Sequence, residues 1–144
     1  RPANVYESQF SIHHLVALAL LRGELGLAEL DAANLSDPQV QALADRIEHA
    51  ADPDADYPTF FSGELHVRTN DGRELRWRES AHRGAPGRPI TAADIEAKFM
   101  GNALLALPRD QALRLRDALL SADRAEDAAT LAHTLTHSNT SGSL

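Results

Sequence analysis

A chain of 144 residues and 15.6 kDa has the length of a single domain able to bury a core without cross-links. Its 43% hydrophobic and 24% charged residues argue against wholesale disorder, and an aromatic share of 5% calls for an aliphatic, Ala/Leu-rich core. A net charge of −7 argues against a nucleic-acid binder, and the absence of cysteine rules out disulfides, thiolate catalysis and Cys-based zinc sites.

The chain opens at Arg1-Pro2 with no initiator Met, which reads as a start inside a longer protein, and nothing resembles a signal peptide. The first element is a helix over Gln9 to Arg22. On a wheel, Ser11 and Arg22 form a narrow polar strip, while Phe10, Ile12, Val16, Ala17, Leu20 and Leu21 cover most of the rest, so burial on several sides is expected. Its longest apolar run, Leu15 to Leu21, is far short of the roughly 20 residues that span a bilayer, so no membrane partner is expected and the cytoplasm is the expected compartment. Gly23 and Gly26 close this helix. Asp37 then serves as N-cap with Pro38 at the first helical position, and Val40, Leu43, Ala44 and Ile47 share one face.

After a turn-rich stretch, Ala51 to Pro58, the period changes to two. Phe61, Gly63, Leu65 and Val67 alternate with polar residues, as do Leu75 and Trp77 beyond Asn70-Asp71-Gly72. A two-residue turn would set Arg68 against Leu75. A three-residue loop with Gly72 in the left-handed region instead pairs Val67 with Leu75, Leu65 with Trp77, Arg68 with Glu74 and Glu64 with Arg78, leaving one apolar face for a core. A Gly/Pro-rich loop, His82 to Pro89, leads to helices over Ala92 to Leu107, from Pro108 onward, and over Ala125 to Leu135. The fold class is therefore α+β: two layers, a small antiparallel sheet with a central hairpin covered by helices, and a helical C-terminal part. Two strands alone are marginal, and Arg46 to Ala50 is the candidate for a third.

Adjacent His13 and His14 diverge by about 100° on a helix and do not readily ligate one metal. His13 falls in the apolar arc and reads either as a hydrogen-bonded packing residue or as a cleft-facing one. His133 and His137 have i, i+4 spacing but lack a third ligand, so no metal site is expected. In His82-Arg83-Gly84 a guanidinium can fork onto a carboxylate while glycine lets backbone approach; an ordinary connecting loop is the competing reading. Asp52, Asp54 and Asp56 lack the spacing and distal glutamate of a calcium loop, and the arginines Arg73, Arg76 and Arg78 are interleaved with Glu64 and Glu74 as on a solvated sheet face.

Taken in order, Arg1-Pro2, Gln9-Phe10-Ser11, Leu21-Arg22-Gly23, Asp37-Pro38-Gln39-Val40, the Asp71-Gly72 hairpin, Arg83-Gly84 and Asp94-Ile95-Glu96-Ala97-Lys98-Phe99 resemble the C-terminal domain of the MmgE/PrpD family of 2-methylcitrate dehydratase-like lyases and isomerases. The resemblance divides the chain into a family-like domain over 1–137 and a flexible tail over 138–144. It implies a small α+β domain beside a large N-terminal helical domain, commonly in homodimers, acting on small di- and tricarboxylates without metal or cofactor. The family's acid/base residues belong to that helical domain, so the resemblance assigns no catalytic residue here. Substrate contact is expected from Arg83, Gly84, His82 and His13. The alternative is a non-catalytic interaction module or partner subunit, docking through the apolar Gln9 to Leu21 helix.

Overall fold

A computed structural model of the chain describes residues 1–122 and 132–133. The chain divides into two compact units, one built from Arg1–Ile47 and the segment that begins at Ala93, the other from Glu48–Ala92. Its class is α+β, as the alternation of periods requires.

In the first unit, α1 (Val5–Ser8) ends before α2 (Ile12–Arg22) begins. The sequence predicts one helix from Gln9, but Ser11 is extended and its Oγ accepts from the His14 N–H at 3.3 Å, so the helix starts at Ile12, three residues later than predicted. Gly23 closes α2 at φ +80°, donating its N–H to the Ala19 carbonyl at 3.0 Å, a left-handed position that glycine occupies without a Cβ clash. After α3 (Ala32–Ser36), Asp37 caps α4 (Pro38–Ala44) by accepting from the Gln39 N–H at 2.7 Å, with Pro38 in the first turn.

His14, Ala17 and Leu18 of α2, spaced i, i+3, i+4, form its buried face, and Ala17 and Leu18 meet Val40 of α4 with Leu30, Leu43, Ala44 and Ile47 around them. Full burial of Leu18 and Val40 contributes roughly 1.5–3 kcal/mol each. The expectation of burial on several sides is corrected: Ile12, Leu20 and Leu21 remain exposed, because the described contacts cover one face of α2. The expected strand at Arg46 to Ala50 does not form. Ile47 continues the apolar face of α4, and the Arg46 and Ile47 N–H groups bond back to Leu43 and Ala44, so the segment is held to the helix.

The unit continues with α5 (Ala92–Ala103, of which Ala92 belongs to the other unit) and α6 (Arg109–Leu120). The helix expected to reach Leu107 stops at Ala103; Pro108 disfavours helical backbone at the residue before it, and a turn occupies Leu104 to Ala106. Pro108 lends its carbonyl to the N–H groups of Gln111 and Ala112, both at 3.0 Å, to open α6. Arg116 of α6 reaches Glu96 of α5 at 2.7 Å. Apart from Ala132 and His133, which are helical, the expected last helix and tail lie outside the described residues.

The second unit is organised by β1 (Gly63–Arg68) and β2 (Glu74–Glu79), an antiparallel pair. Among the described residues the sheet has these two strands. The register pairs Leu65 with Trp77, Val67 with Leu75, Glu64 with Arg78 and Arg68 with Glu74, as the three-residue loop demands. Thr69 donates its N–H to the Arg73 carbonyl at 2.9 Å, and Gly72 takes φ +86°. The apolar row is not a buried core: Leu65, Leu75 and Trp77 are 39%, 52% and 67% exposed. The opposite row is an ion-pair network around Glu64, which bonds Arg76, His66 and, at 2.9 Å, Arg78; Arg78 also meets Asp52 at 2.8 Å.

Candidate functional site

The residues singled out by the sequence fall in both units. In the first, the start of α2, the end of α4 and the N-terminal segment enclose a cleft of about 250 Å³. Its polar lining is Arg1, Ser11, His13, His14 and Asp45. Cap geometry explains the arrangement: Ser11 must turn back to bond the first turn of α2, which sets the two histidines at the mouth of the helix.

Arg1 and Asp45 face each other across 44 residues of sequence, with Nε to Oδ1 at 3.0 Å and a second contact from Nη2 to Oδ2. The Arg1 Nη1 also donates to Gln41 Oε1 at 3.2 Å. The hydrogen bond from Arg1 holds the Asp45 carboxyl below the usual range, and the same contact raises the guanidinium. His14 is 3% exposed, and burial pushes its imidazole below the ordinary histidine value, toward the neutral form. His13 is half-buried beside it. At neutral pH the cleft thus offers a neutral imidazole next to a charge-compensated Arg–Asp pair.

His82, Arg83 and Gly84 lie together on the loop after β2 in the second unit. His82 helps to fold this loop: the Phe61 N–H approaches its Nδ1 at 3.4 Å, and the two rings meet edge to face at 5.3 Å. Gly84 adopts φ +97°, and a Cβ there would lie 3.3 Å from Ile90 Cδ1, so both backbone and space favour glycine. Its N–H donates to the Arg88 carbonyl at 2.8 Å, and the Arg88 N–H to the Ala85 carbonyl at 2.8 Å. Arg88 then pairs with Glu79 at 2.6 Å. This bracing presents Arg83 on an exposed turn.

Two features escaped the sequence reading. The sequence reading puts His13 in the apolar arc, and the structure corrects this: His14 is buried and His13 only partly so, because His14 heads the i, i+3, i+4 series through Ala17 and Leu18. The pairing of Arg1 with Asp45 carries no local signal, since it depends on the return of α4 to the N-terminal segment. Among the described residues, no group of three or more His, Asp or Glu side chains is placed to hold a metal ion.

Comparison with known proteins places this geometry in context. Residues 1–124 match the MmgE/PrpD C-terminal domain. The chain is 24% identical over 136 residues to mouse cis-aconitate decarboxylase, covering 93% of this chain and 28% of that protein. It is 26% identical over 132 residues to human cis-aconitate decarboxylase, covering 90% of this chain and 27% of that protein. The chain therefore spans less than a third of the length of these curated relatives. The match over most of the chain, with an α+β fold to go with it, makes this protein a member of the MmgE/PrpD family, corresponding to its C-terminal domain.

Proposed function

We propose that the chain is the small domain of an MmgE/PrpD-type lyase or isomerase acting on small di- or tricarboxylates. The observation that carries this reading is the family match over residues 1–124, joined by two relatives named for decarboxylation of a tricarboxylate. A C-terminal domain of this family implies an N-terminal partner domain, on the same or a separate chain; on this reading the acid/base groups belong to that partner domain. A homodimer and a cytoplasmic location belong to the same proposal; among the described residues no helix is long and apolar enough to cross a membrane.

The role left to this chain is to wall the substrate cleft and orient carboxylates. Arg83 is the candidate for a forked contact, because Gly84 and the Arg88 brace fix the turn beneath it. His82, Gly84 and His13 join it as substrate-facing positions. Native mass spectrometry of the source sample, followed by cis-aconitate turnover on whatever assembly contains the chain, tests the proposal. A heavier partner and turnover are expected; a catalytically silent assembly rejects the lyase or isomerase reading for this substrate. In an active assembly, Arg83→Ala is expected to raise KM about tenfold or more with a smaller change in kcat, since a charge-assisted contact contributes on the order of 1.5–3 kcal/mol. Unchanged kinetics remove Arg83 from the site.

A second reading, a partner subunit without chemistry of its own, is favoured by one observation: Tyr6, Phe10, Trp77 and other large apolar side chains are exposed. The same mass measurement separates the two, because a lone species near 15.6 kDa that neither turns over nor binds a carboxylate leaves the interaction module standing.

A further inference from the structure

Resting on the homodimer of the proposed function, we infer that the open edge of β2 is where two copies of this chain join, their β2 strands pairing antiparallel about a two-fold axis at Arg76 into one four-stranded sheet. Glu74 to Arg78 are all exposed, whereas Glu64 and Val67 of β1 are half-buried. The one-to-one register with β1 leaves no bulge, and β2 contains no proline, so two common devices that close an edge to pairing are missing. Backbone hydrogen bonds alternate in direction along an antiparallel strand. Thr69 donates to Arg73, so Arg73, Leu75, Trp77 and Glu79 turn their backbone groups toward β1, and Glu74, Arg76 and Arg78 turn theirs outward. Among the described residues no strand pairs with this outward edge. A two-stranded sheet is marginal by itself, and a second hairpin brings it to four strands.

Side-chain chemistry selects the register. Outward residues must meet outward residues, which places the axis on a residue: Leu75, Arg76 or Trp77. An axis at Trp77 sets Arg76 against Arg78 and Leu75 against Glu79. An axis at Leu75 leaves Trp77 and Arg78 beyond the end of the other strand. With the axis at Arg76, Glu74 meets Arg78 of the second copy, Leu75 meets its Trp77, and Arg73 meets its Glu79. The polar face then reads Arg68, Glu74, Arg78 and Glu64 across the four strands, the last two from the second copy, so charge changes sign at each step. The other face reads Val67, Leu75, Trp77 and Leu65, one apolar row across the joint. Leu75 and Trp77 meet there as a non-hydrogen-bonded pair, the position at which opposite side chains come closest. The like pair is Arg76 with its own copy on the axis, and Glu64 of each chain already bonds that guanidinium.

The test uses the full chain, in whatever assembly contains it, and reads the edge directly. As concentration rises through dimerisation, hydrogen exchange at the Glu74, Arg76 and Arg78 amides is expected to slow at least tenfold, while Leu75 and Trp77, bonded to β1 in either state, change less. Arg76→Pro removes an outward N–H and spares the bonds to β1, so it should raise the dimer dissociation constant at least tenfold; Arg76→Ala keeps the N–H and should stay dimeric. Cross-linking supplies a readout that does not depend on the proline variant folding. The chain has no cysteine of its own, so a mixture of Leu75→Cys and Trp77→Cys chains should give a covalent dimer on oxidation, and neither variant should do so alone. A chain that stays monomeric, a dimer whose outward amides exchange as freely as in the monomer, or a monomer in which they are protected at every concentration overturns the edge pairing; in the last case the edge is covered by the same chain or its partner domain. Trp77→Cys cross-linking to itself overturns the axis at Arg76. Turnover by an assembly whose β2 edge stays open rejects the edge pairing alone, whereas the mixed cross-link in a catalytically silent assembly rejects the lyase or isomerase reading alone.

Discussion

The α2–α4 pair and the β1–β2 hairpin both carry apolar residues at the correct period, yet they are held together by different means. The helical pair buries Ala17, Leu18 and Val40 completely, and its polar groups mostly serve as caps. The hairpin leaves Leu65, Leu75 and Trp77 open and relies on its backbone ladder, the Gly72 turn and the ion pairs of Glu64. Periodicity therefore says which face an element would bury, and says nothing about whether another surface arrives to bury it. The contrast also separates how each region responds to perturbation.

The largest expected effect lies in the helical pair. Leu18→Ala removes a fully buried side chain and leaves a cavity between α2 and α4, which should cost about 2–5 kcal/mol in chemical denaturation, with hydrogen-exchange protection lost in α2 first. If α2 protection is unchanged, the core is not where the burial pattern sets it. In the hairpin, Gly72→Ala forces a Cβ into the left-handed region at φ +86° and should cost about 1–2 kcal/mol, read as faster exchange across the β1–β2 ladder. A silent Gly72→Ala would mean that the turn is not what sets the register.

Acid separates the two regions without mutation. The lowered pKa of His14 means that the unfolded chain binds more protons near pH 6.5, so stability of the helical unit is full above that value and declines as pH falls below it. The Glu64 carboxyl is lowered from 4.5 to about 2, chiefly by its hydrogen bond to Arg76 and then by those to Arg78 and His66. Its contribution is fully present above about pH 4.5 and is lost as pH falls toward 2. Chemical-denaturation curves followed through α2 and through the hairpin should accordingly slope in different pH windows, and His14→Gln should flatten only the first. A shared window would show that one unfolding event governs both units.

The smallest effect is expected at Trp77. As an exposed side chain, its replacement by Thr should change stability of the isolated chain by no more than about 0.5 kcal/mol. A loss of several kcal/mol would mean that the hairpin face is covered in solution, and that its contrast with the helical pair ends there.

Local chemistry made much of this molecule legible in advance. The Asp37-Pro38 start, the stop at Gly23, the three-residue hairpin loop and the full strand register all depend on contacts within a few residues or on the two-residue pleat, so the sequence carries them directly. The same local logic marked His82-Arg83-Gly84 as a loop of special geometry, and Gly84 indeed adopts a left-handed backbone. It overextended the helix toward Leu107 and proposed a strand at Arg46 to Ala50, where competing long-range packing of Ile47 and the constraint of Pro108 prevailed.

What the sequence determined by itself was the set of elements, their capping and pairing, and an ordered pattern specific enough to indicate the family. What only the tertiary structure decided was which residues those elements bring together: Arg1 against Asp45, His14 rather than His13 turned inward, and an apolar hairpin row left open. The physical reason is range. Caps, turns and pleats are settled by neighbours along the chain, whereas burial, charge pairing and the shift of a histidine's proton affinity depend on what the fold returns to the same place, which no local pattern encodes.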